Sequence, residues 1–544
     1  MLETRGDLSL DISSICSDHR EAEKGCLFVC IEGFRADGHE YIGGAVKNGA
    51  AAILTQKPLE EIESRYKGAL GGVALIRVGN ARRALAALAA RFYGEPSKGF
   101  TLVGVTGTKG KTTTTHMIDA IARLSGGSEP ERKRPTGLIG TIKNLVGDEE
   151  IAARETTPES LELQKLFSRM RERGAWLVSM EVSSQGLALD RVSFCDFDAG
   201  LFTNFYNDHI SPFEHHSMGE YLAAKLKIFE LCGIGAINAG MEAGAFEAAM
   251  RAAAASSKCR RVYTYGIRCV ASSGTAASGA AGSETGESKA AASEAAGIRA
   301  AAGGTADAKA AGGVDVYAED IRYLREGNSL RTEFHAVSPW FEADISLAMP
   351  GEFNVENALA AITVCGACGM QAGDIARALS GVSVRGRTEP VDAGQNFTVL
   401  VDYAHNAASL KPLLEMLRAH GFNRIVTVFG CGGDRARDRR FDMGEVSGRL
   451  SSLTVITSDN PRSEPPSAIM DDIESGVRRT DGEYIRIEDR REAIEYALAG
   501  AKEGDLVVIA GKGHETTQTS VHRTIHFDDA EVARECLARL KGMT

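Results

Sequence analysis

The chain has 544 residues, 43% of them hydrophobic and 25% charged, which excludes a chain that is disordered throughout and, at about 150 residues per domain, predicts about three or four domains. Lys and Arg together number 62 against 73 Asp and Glu, so the formal net charge is -11. This negative charge opposes non-specific attraction to nucleic-acid phosphates or anionic lipid, and we expect no nucleic-acid partner.

No stretch of the sequence offers about 18 consecutive apolar residues, the length that a membrane-spanning helix needs. The first residues, Met1-Leu2-Glu3-Thr4-Arg5, lack the basic start and the apolar core of a secretory signal. We therefore expect a cytoplasmic protein with no membrane insertion.

The first 99 residues predict a small α/β domain. Residues 27–31 form an apolar run typical of a strand, and residues 81–93 show a helical pattern. The pattern ends at Gly94-Glu95-Pro96-Ser97, a composition typical of a linker. We place the first domain boundary at residue 99.

Short apolar runs alternate with longer helical patterns in residues 100–384. Strands are predicted at residues 101–105, 176–182, 200–203 and 235–238. Strands that alternate with helices form a mostly parallel sheet that helices cover on both faces. We therefore expect a central parallel-sheet domain over this range.

The same alternation repeats in residues 385–544. Strands are predicted at residues 398–401, 424–429, 453–457 and 506–510. This pattern predicts a C-terminal doubly wound, Rossmann-like domain. The predicted fold class is therefore α/β, with a small N-terminal domain, a central parallel-sheet domain and a C-terminal doubly wound domain.

Residues 271–313 interrupt the central domain with a segment of low complexity. It consists almost wholly of Ala, Gly, Ser, Thr and a few charged residues, and Ile298 is its one large apolar residue. Such a composition cannot bury enough surface to offset its chain entropy. We expect a disordered insertion in a surface loop, without an assigned function.

A glycine-rich loop follows the first strand of the central domain. Residues 104–112 read Gly-Val-Thr-Gly-Thr-Lys-Gly-Lys-Thr between the apolar run and a helical pattern. Such a loop wraps backbone N–H groups around phosphate, while Lys111 reaches the outer phosphates and Thr112 can bind Mg²⁺. Val105 stands where the strict motif has its first glycine. The strand-loop-helix context nevertheless predicts a P-loop that binds ATP.

Polar residues follow the next two predicted strands. Glu181 ends one of them, and Asp208 and His209 come soon after the other. Taken singly, Glu181 reads as a solvated loop carboxylate and His209 as an ordinary loop histidine. Because the carboxyl ends of parallel strands meet at one crevice, two such residues favour metal ligation beside the P-loop.

Eleven motifs in sequence order resemble those of the Mur ligases, the ATP-dependent amide-forming enzymes of peptidoglycan precursor synthesis. The resemblance runs from about residue 11 to about residue 518. The motifs are the P-loop, Glu155-Thr156-Thr157-Pro158, Met180-Glu181-Val182-Ser183-Ser184, Thr203-Asn204 with Asp208-His209, Tyr221-x-x-Ala224-Lys225, Gly351-x-Phe353-Asn354-Val355-x-Asn357, Gly386-Arg387-x-Glu389, Asp402-Tyr403-Ala404-His405, Gly432-Gly433-Asp434-Arg435, Asp459-Asn460-Pro461-Arg462 and Gly511-Lys512-Gly513-His514-Glu515.

The resemblance implies an ATP site with contributions from two parts of the chain. From the loop side it assigns ATP contacts to Gly107, Thr108, Gly110, Lys111, Thr112 and Thr113. From the side of the third domain it assigns them to Asn357, Arg387, Asp402 and His405.

The resemblance also implies two Mg²⁺ ions and one modified residue. It assigns metal binding to Thr112, Glu181, His209 and Lys225, and catalysis to Lys111, Glu181, His209 and Lys225. By itself Lys225 reads as a solvated helix lysine. The family lysine at its position reacts with CO₂ to form a carbamate, N6-carboxylysine, which supplies an anionic oxygen where there was a cation.

The resemblance further assigns the two remaining substrates. Contacts to UDP-MurNAc-L-Ala-D-Glu fall to His19, Thr156, Thr157, Ser184 and Arg191, some of which otherwise read as turn and cap residues. Contacts to the incoming amino acid fall to Arg435, Asp459, Asn460, Arg462, Gly511 and Glu515.

The amino acid added is expected to be meso-diaminopimelate. It differs from lysine by a second carboxylate, and the fork-shaped guanidinium of Arg462 suits bidentate binding of that group. The expected reaction is ATP-dependent and ADP-forming: the D-glutamyl carboxylate is phosphorylated, and the amine then displaces phosphate from the acyl phosphate.

Three alternatives stay open at this stage. The first is the same ligase with L-lysine as the added amino acid. The second is a ligase similar to folylpolyglutamate synthase, against which the N-terminal domain with Asp37-Gly38-His39 argues. The third is a catalytically silent paralogue that binds the precursor.

Family resemblance also implies a monomer.

Overall fold

The computed structural model describes residues 1–33, 36–125, 134–207, 210, 214–268 and 313–542. The predicted insertion at residues 271–313 lies outside these ranges except for Gly313, and so do Asp208 and His209. Within the described ranges, no helix is both long enough and apolar enough to cross a membrane.

The described chain divides into two compact units. The first comprises residues 1–266, 313–315 and 360–370, and the second comprises residues 267–268, 316–359 and 371–542. The first unit therefore holds the N-terminal sheet and the strands around the P-loop, and the second holds the C-terminal sheet.

The N-terminal part of the first unit is a five-stranded sheet in the order β1-β5-β4-β3-β2. All neighbours in it are parallel except β1 and β5. The strands are β1 Glu3–Arg5, β2 Ser14–Cys16, β3 Cys26–Val29, β4 Ala52–Thr55 and β5 Ala74–Arg77. The α-helices are α1 Ile42–Lys47, α2 Leu59–Arg65 and α3 Ala81–Phe92, and 3-10 turns span His19–Glu21, Gly38–Tyr41 and Pro96–Gly99.

Strand β3 shows why this sheet is covered on both faces. Its alternate residues Cys26 and Phe28 pack into one apolar cluster, and Leu27 and Val29 pack into another. A strand buried on both faces reads as a continuous apolar run, which is the pattern that predicted it. The small α/β domain predicted for this part of the chain is present.

The rest of the first unit is built on strands in the order β13-β12-β11-β6-β10-β7-β8-β9. The run from β13 to β7 is parallel, whereas β8 and β9 are antiparallel additions. The strands are β6 Thr101–Thr106, β7 Thr136–Ile139, β8 Lys143–Val146, β9 Glu149–Ala152, β10 Leu177–Glu181, β11 Phe197–Phe202, β12 Cys232–Asn238 and β13 Arg261–Ile267. The helices are α4 Lys111–Leu124, α5 Ser160–Glu172, α6 Ser184–Ala188, α7 Met218–Leu226, α8 Ile228–Leu231 and α9 Ala243–Ala255.

The pairing register aligns the carboxyl ends of the three central strands. Glu181 on β10 lies opposite Val105 on β6, and Phe202 on β11 lies opposite Thr106. The P-loop, the last residue of β10 and the segment after β11 therefore leave the sheet at the same edge. This is the edge at which open parallel sheets bind their ligands.

The second unit begins with an antiparallel three-strand meander and continues into the doubly wound sheet. The meander strands are β14 Val316–Glu326, β15 Ser329–Val337 and β16 Glu342–Leu347. Helices α10 Glu352–Ala367 and α11 Ala372–Gly381 follow along the chain.

The C-terminal sheet has six strands in the order β17-β18-β22-β19-β20-β21, all parallel except for β17. The strands are β17 Glu389–Pro390, β18 Thr398–Asp402, β19 Ile425–Phe429, β20 Leu453–Ile456, β21 Tyr484–Arg486 and β22 Leu506–Ala510, with a separate hairpin of β23 Thr517–Thr519 and β24 Thr524–His526. The helices are α12 Ala407–Ala419, α13 Asp438–Leu450, α14 Pro466–Val477, α15 Arg490–Ala499 and α16 Asp529–Gly542.

Strand β22 divides its side chains between two cores. Leu506 and Val508 pack into the cluster on one face, and Val507 and Ile509 pack into the cluster on the other. Helices therefore cover both faces, as in other doubly wound sheets. The predicted α/β class is confirmed in both units.

The backbones of helices α13 and α14 are in direct contact. A Cβ on Gly444 would lie 2.1 Å from the carbonyl oxygen of Ile473, and a Cβ on Gly476 would lie 2.1 Å from that of Phe441. Any larger residue at either glycine must push the two helices apart.

Replacing Gly476 with alanine is expected to destabilise the second unit by about 1–3 kcal/mol, because the added methyl group overpacks a backbone contact. The matched control is Gly373→Ala on α11, where nothing lies within 4 Å of the added Cβ. The control is expected to be neutral or stabilising by up to about 1 kcal/mol, because alanine favours the helix. Calorimetric unfolding of both variants measures the difference, and equal transitions would contradict the prediction.

Candidate active site

The loop between β6 and α4 has the geometry of a phosphate-binding loop. Gly110 precedes α4 with φ +82°, and Gly107 has φ +149°. A Cβ on Gly107 would lie 1.9 Å from Thr203 Oγ1, so only glycine fits there. Lys111 Nζ folds back and donates to the carbonyl oxygens of Gly107 and Thr108 at 2.9 and 3.1 Å. An ammonium group and the N-terminus of α4 thus lie beside one loop, a combination that favours an anion.

The segment after β11 holds this loop in place. Thr203 Oγ1 donates to the carbonyl oxygen of Lys109 at 2.6 Å. Asn204 accepts the Lys109 N–H at its side-chain oxygen (2.8 Å) and the Thr108 N–H at its carbonyl oxygen (3.0 Å). The Thr203-Asn204 motif therefore supports the backbone that would face the phosphates.

Glu181, at the end of β10, is fully buried and receives three hydrogen bonds. Its Oε2 accepts from the hydroxyls of Thr112 at 3.0 Å and Thr141 at 3.1 Å, and its Oε1 accepts from the Thr141 N–H at 2.8 Å. A Cβ on Gly140 would lie 2.5 Å from Oε1, so glycine leaves the carboxylate its room. The Thr112 and Thr141 hydroxyls and the Thr141 N–H therefore fix the orientation of the Glu181 carboxylate.

The oxygen atoms of Thr112 and Glu181 fit a magnesium ion. Mg²⁺ prefers hard oxygen ligands such as hydroxyl and carboxylate groups. Thr112 Oγ1 and Glu181 Oε2 are separated by 3.0 Å. In the described part of the chain, no group of three or more His, Cys, Asp or Glu side chains is placed to hold a metal. His209, the predicted histidine ligand, lies outside the described residues.

Lys225, near the end of α7, is 1% exposed rather than solvated. Its Nζ donates to the carbonyl oxygen of Gly107 at 2.8 Å and lies 4.5 Å from the ring centre of Tyr221. The Tyr221 hydroxyl in turn lies 3.1 Å from Thr108 Oγ1. Lys225 and Lys111 thus reach the same P-loop carbonyl, and α7 brings a second cation to the loop.

Residues predicted to bind the nucleotide-linked peptide gather around the start of α6. Thr157 is fully buried, donates to the carbonyl oxygen of Glu181 at 2.9 Å and accepts the Ser183 N–H at 2.9 Å. Arg191 Nη1 donates to the Thr157 carbonyl oxygen at 2.7 Å. Its guanidinium also pairs with Glu159 at 2.8 Å. Thr157 and Arg191 are therefore tied to the end of β10 and to each other.

Ser184, Thr156 and His19 complete this predicted set. Ser184 begins α6 and its Oγ lies 2.9 Å from His215 Nε2. Thr156 Oγ1 lies 3.0 Å from Thr141 Oγ1, beside the Glu181 cluster. His19 lies instead in the N-terminal sheet region, where its ring stacks on Tyr41 with centres 4.7 Å apart.

Two of the residues of the second unit that are predicted to contact the nucleotide, Arg387 and His405, lie against the ring of Tyr403. Asn357, a third, lies on α10. The Tyr403 ring centre lies 4.6 Å from the Arg387 guanidinium carbon, 4.6 Å from the His405 ring and 4.7 Å from the His514 ring. Burial raises the pKa of Tyr403, so its phenol stays protonated.

Backbone contacts hold Asp402 and the Gly386 loop beside this cluster. Asp402 ends β18 and accepts the N–H groups of Thr388 at 2.7 Å and Ala404 at 2.8 Å. Gly386 has φ +67°, and a Cβ added to it would lie 2.1 Å from the backbone nitrogen of His514. Glycine thus allows the Gly386 and His514 loops to touch.

The loops after β20 and β22 bring together most of the residues predicted to bind the amino acid. Asn460 Nδ2 donates to Glu515 Oε2 at 2.7 Å, and a Cβ on Gly511 would lie 2.8 Å from Asp459 Oδ2. The fully buried Lys512 places its Nζ 3.4 Å from the same Glu515 oxygen. The strand order puts β22 between β18 and β19, so the loop after β22 leaves the sheet at a topological switch point.

Arg462 and Arg435 lie on two loops that touch each other. Arg462 Nη1 donates to the carbonyl oxygen of Gly433 at 2.6 Å, and its backbone N–H donates to Thr519. The Gly433 N–H donates to the Asn460 carbonyl oxygen at 2.9 Å. Arg435 is exposed two residues after Gly433.

Among the side chains to which the sequence assigned no role, Thr141 and Tyr403 hold central places in these clusters. Thr141 was not singled out, although it comes two residues after β7 and thus at the same sheet edge as the P-loop. Tyr403 lies inside the motif Asp402-Tyr403-Ala404-His405, in which only Asp402 and His405 were predicted to contact ATP. Position after a strand end was the available signal for Thr141, whereas only the ring contacts identify Tyr403 as the centre of its cluster.

Three family descriptions match the chain in order. "Mur ligase family, catalytic domain" matches residues 11–93, "Mur ligase middle domain" matches residues 105–365, and "Mur ligase, glutamate ligase domain" matches residues 386–513. The three matches together span most of the chain.

Similar proteins extend this match over the full length. The UDP-N-acetylmuramoyl-L-alanyl-D-glutamate--2,6-diaminopimelate ligase of Caldanaerobacter subterraneus subsp. tengcongensis is 38% identical over 98% of this chain and 97% of its own. A solved structure with the same enzyme name superposes with a TM-score of 0.65 at 25% identity, covering 97% of this chain and 95% of that one. MurF ligase from Thermotoga maritima, solved in complex with ADP, has a TM-score of 0.56 at 16% identity over 98% of both chains. The chain therefore belongs to the Mur ligase family.

Proposed function

We propose that this chain is the ADP-forming ligase that joins meso-diaminopimelate to UDP-MurNAc-L-Ala-D-Glu. The observation that carries the choice of amino acid is the contact of Arg462 with the Gly433 loop, next to the Asn460–Glu515 pair. This arrangement offers a guanidinium for a carboxylate and a carboxylate for an ammonium group. Meso-diaminopimelate presents both groups on its distal carbon, whereas lysine presents only the amine there.

In the first step, the D-glutamyl γ-carboxylate attacks the γ-phosphorus of ATP and releases ADP, which leaves an acyl phosphate. Lys111, held at the P-loop by two carbonyl oxygens, neutralises charge on the transferred phosphoryl group. The proposed ATP contacts of Gly107, Thr108, Gly110, Thr112 and Thr113 rest on the same loop. Those of Asn357, Arg387, Asp402 and His405 stay predictions from the sequence.

Magnesium is part of this proposal. Thr112 and Glu181 would supply oxygen ligands of the kind that Mg²⁺ prefers, and His209 and Lys225 are the proposed further ligands. When bound, the metal withdraws electron density from the phosphate oxygens and so stabilises the charge that develops on them. The Thr141 hydroxyl and N–H orient the Glu181 carboxylate toward Thr112.

The proposed carbamate of Lys225 has support in the electrostatics of the loop. Lys225 and Lys111 both donate to the Gly107 carbonyl oxygen, and Lys225 is almost wholly buried. Two cations this close repel each other, and the burial of Lys225 leaves little solvent to screen the repulsion. Reaction of the neutral Lys225 amine with CO₂ forms an N–C bond, releases a proton and leaves an anion. The repulsion between the two side chains then becomes an attraction.

In the second step, a diaminopimelate amine attacks the acyl carbon and gives up a proton as the C–N bond forms, and phosphate leaves from the tetrahedral intermediate. Arg462 and Arg435 are proposed to hold the substrate carboxylates, and Glu515 to receive the distal ammonium group. Asp459, Asn460 and Gly511 complete that proposed set. These residues orient the amine, which lowers the entropic part of the barrier. No side chain is assigned as the general base.

The remaining assignments concern the sugar nucleotide and the setting of the enzyme. We propose that Thr156, Thr157, Ser184 and Arg191 contact the muramoyl peptide and that His19 contacts the uridine end. In this proposal residues 1–99 bind the UDP moiety, residues 100–384 bind ATP, and residues 385–544 bind the amino acid. The enzyme is proposed to work as a cytoplasmic monomer.

Phosphate release by the purified protein tests the proposed function. The reaction contains ATP, Mg²⁺ and UDP-MurNAc-L-Ala-D-Glu, with meso-diaminopimelate, L-lysine or no amino acid. We expect release only with meso-diaminopimelate, together with the tripeptide product detected by mass spectrometry. A preference for lysine would keep the ligase and overturn the role of Arg462, and no turnover with either amino acid would favour a silent paralogue.

A further inference from the structure

Two loops that carry the proposed amino-acid contacts hold strained backbones. Loop 432–435 contains Asp434 with φ +55°, and loop 459–464 contains Arg462 with φ +52°. Residues other than glycine rarely adopt such φ angles. These angles persist only where the surrounding contacts impose them. The side chains that impose them therefore determine where Arg435 and Arg462 lie.

Glu464 is the side chain at which the two loops meet. Its Oε1 accepts the backbone N–H of Asp434 at 2.6 Å and the Nη2 of Arg440 at 2.7 Å. These two hydrogen bonds hold the pKa of Glu464 below its usual value, and the one from Arg440 has the larger effect. The Asp434 carboxylate also accepts a hydrogen bond from the hydroxyl of Ser463, the residue that precedes Glu464. The carboxylate of Glu464 thus fastens one loop to the other.

Arg440 anchors this junction to the helices behind it. It lies in the first turn of α13, is 3% exposed, and donates from Nη1 to Asp472 Oδ2 on α14 at 3.0 Å. Its guanidinium therefore connects Glu464 to the α13–α14 pair. Because Arg440 is buried behind the loops, it does not itself face a substrate.

We propose that Arg440 and Glu464 are positioning residues that set the carboxylate-binding arginines Arg435 and Arg462 for the incoming amino acid. This inference rests on the proposed function. Glu464 lies two residues from Arg462, and the amide that it binds, Asp434, is adjacent to Arg435. One ion pair therefore controls the placement of both arginines.

A simpler explanation is that Arg440 only joins the two helices. Arg437 already does so, because its guanidinium donates to both oxygens of Asp472 at 2.8 and 2.7 Å. Arg437 lies three residues before Arg440, and its guanidinium hydrogen bonds go to Asp472, whereas the hydrogen bond to Glu464 comes from Arg440. It is thus a matched control: Arg437→Met weakens the helix contact and leaves the loop junction intact.

The test compares Arg440→Met, Glu464→Ala and Glu464→Gln with Arg437→Met by steady-state kinetics. Loss of a group that holds a metal ligand in place typically costs about 10–100-fold, and by the same reasoning we expect the KM for meso-diaminopimelate to rise about 10-fold or more in Arg440→Met and Glu464→Ala. The KM values for ATP and the UDP substrate are expected to stay at the wild-type value. Glu464→Gln keeps an acceptor oxygen and is expected to lie between the wild type and Glu464→Ala. Arg437→Met is expected to behave as the wild type.

Amide hydrogen exchange gives a second readout that does not depend on turnover. Peptides that cover residues 432–436 and 460–465 are expected to exchange faster in Arg440→Met and Glu464→Ala, but not in Arg437→Met. If Arg440→Met does not fold, the two Glu464 variants carry the test.

Equal rises in all three KM values, the same effect in Arg437→Met, or unchanged exchange in the two loops would overturn the inference. A wild type that fails to use meso-diaminopimelate would overturn the proposed function instead. The exchange comparison would then still decide whether the Arg440–Glu464 pair fixes the two loops.

Discussion

Lys225→Ala is expected to lower kcat by about 10³-fold or more, because a bound metal stabilises the charge on a transferred phosphoryl group by several kcal/mol and the carbamate of Lys225 is one of its proposed ligands. In this variant the buried amine that donates to Gly107 is missing, and with it the proposed carbamate oxygen ligand. Phosphate release under saturating substrates measures the loss.

Lys227→Ala is the matched control for this prediction. Lys227 lies two residues further along the chain and is exposed, so its loss is expected to leave kcat unchanged. Incubation with ¹³C-bicarbonate should produce a carbamate ¹³C NMR signal in the wild type and in Lys227→Ala, but not in Lys225→Ala. A full signal in the Lys225 variant, or full activity, would contradict the assignment.

Arg462→Ala is expected to lower kcat/KM for meso-diaminopimelate by about 30-fold to several thousand-fold, because truncating one partner of a hydrogen-bonded charge pair costs about 2–5 kcal/mol. The KM for ATP is expected to change little, since the proposed phosphate contacts lie on the P-loop. Arg462→Lys is expected to recover only part of the loss, because an ammonium group cannot bind a carboxylate through two parallel N–H groups.

Arg418→Ala controls for loss of an arginine elsewhere in the same unit. Arg418 is exposed on α12, and its guanidinium donates to the Arg449 carbonyl oxygen. We expect wild-type kinetics from this variant. If Arg462→Ala retained its kcat/KM for meso-diaminopimelate, or if ATP binding fell by the same factor, Arg462 would not determine the amino acid that the enzyme adds.

The layered fold could be predicted because its signals are local. Strands buried on both faces need continuous apolar residues, and β3 and β22 show this with successive side chains that enter opposite cores. The P-loop was equally readable, since glycines at special φ angles and a helix start are properties of adjacent residues. Strand boundaries differed from the predictions by a few residues, because hydrogen-bond partners across the sheet decide where pairing stops.

The environment of Lys225 could not be predicted from its own helix. The helical pattern of α7 is compatible with a solvated lysine, yet the side chain is 1% exposed and donates to Gly107, which lies over a hundred positions earlier in the sequence. Burial depends on which face of α7 the sheet covers. Only the resemblance to a known family singled this residue out.

The supports of the proposed amino-acid site show the same limit. Arg440 and Glu464 belong to two different loop-helix junctions, and Arg440 and Asp472 belong to two different helices. Each reads in the sequence as one of many charged residues near a helix start. Their pairing depends on the close approach of α13 and α14, which the glycines at 444 and 476 permit.

The sequence by itself determined the α/β class, the order of the domains, the P-loop and the motifs that identify the family, because apolar periodicity, glycine placement and motif spacing are properties of neighbouring residues. The tertiary structure alone decided that Thr141 holds Glu181, that Tyr403 lies among Arg387, His405 and His514, and that Arg440 supports the loops of Arg435 and Arg462. These contacts join residues far apart in the chain, and their geometry is set by strand register and helix packing.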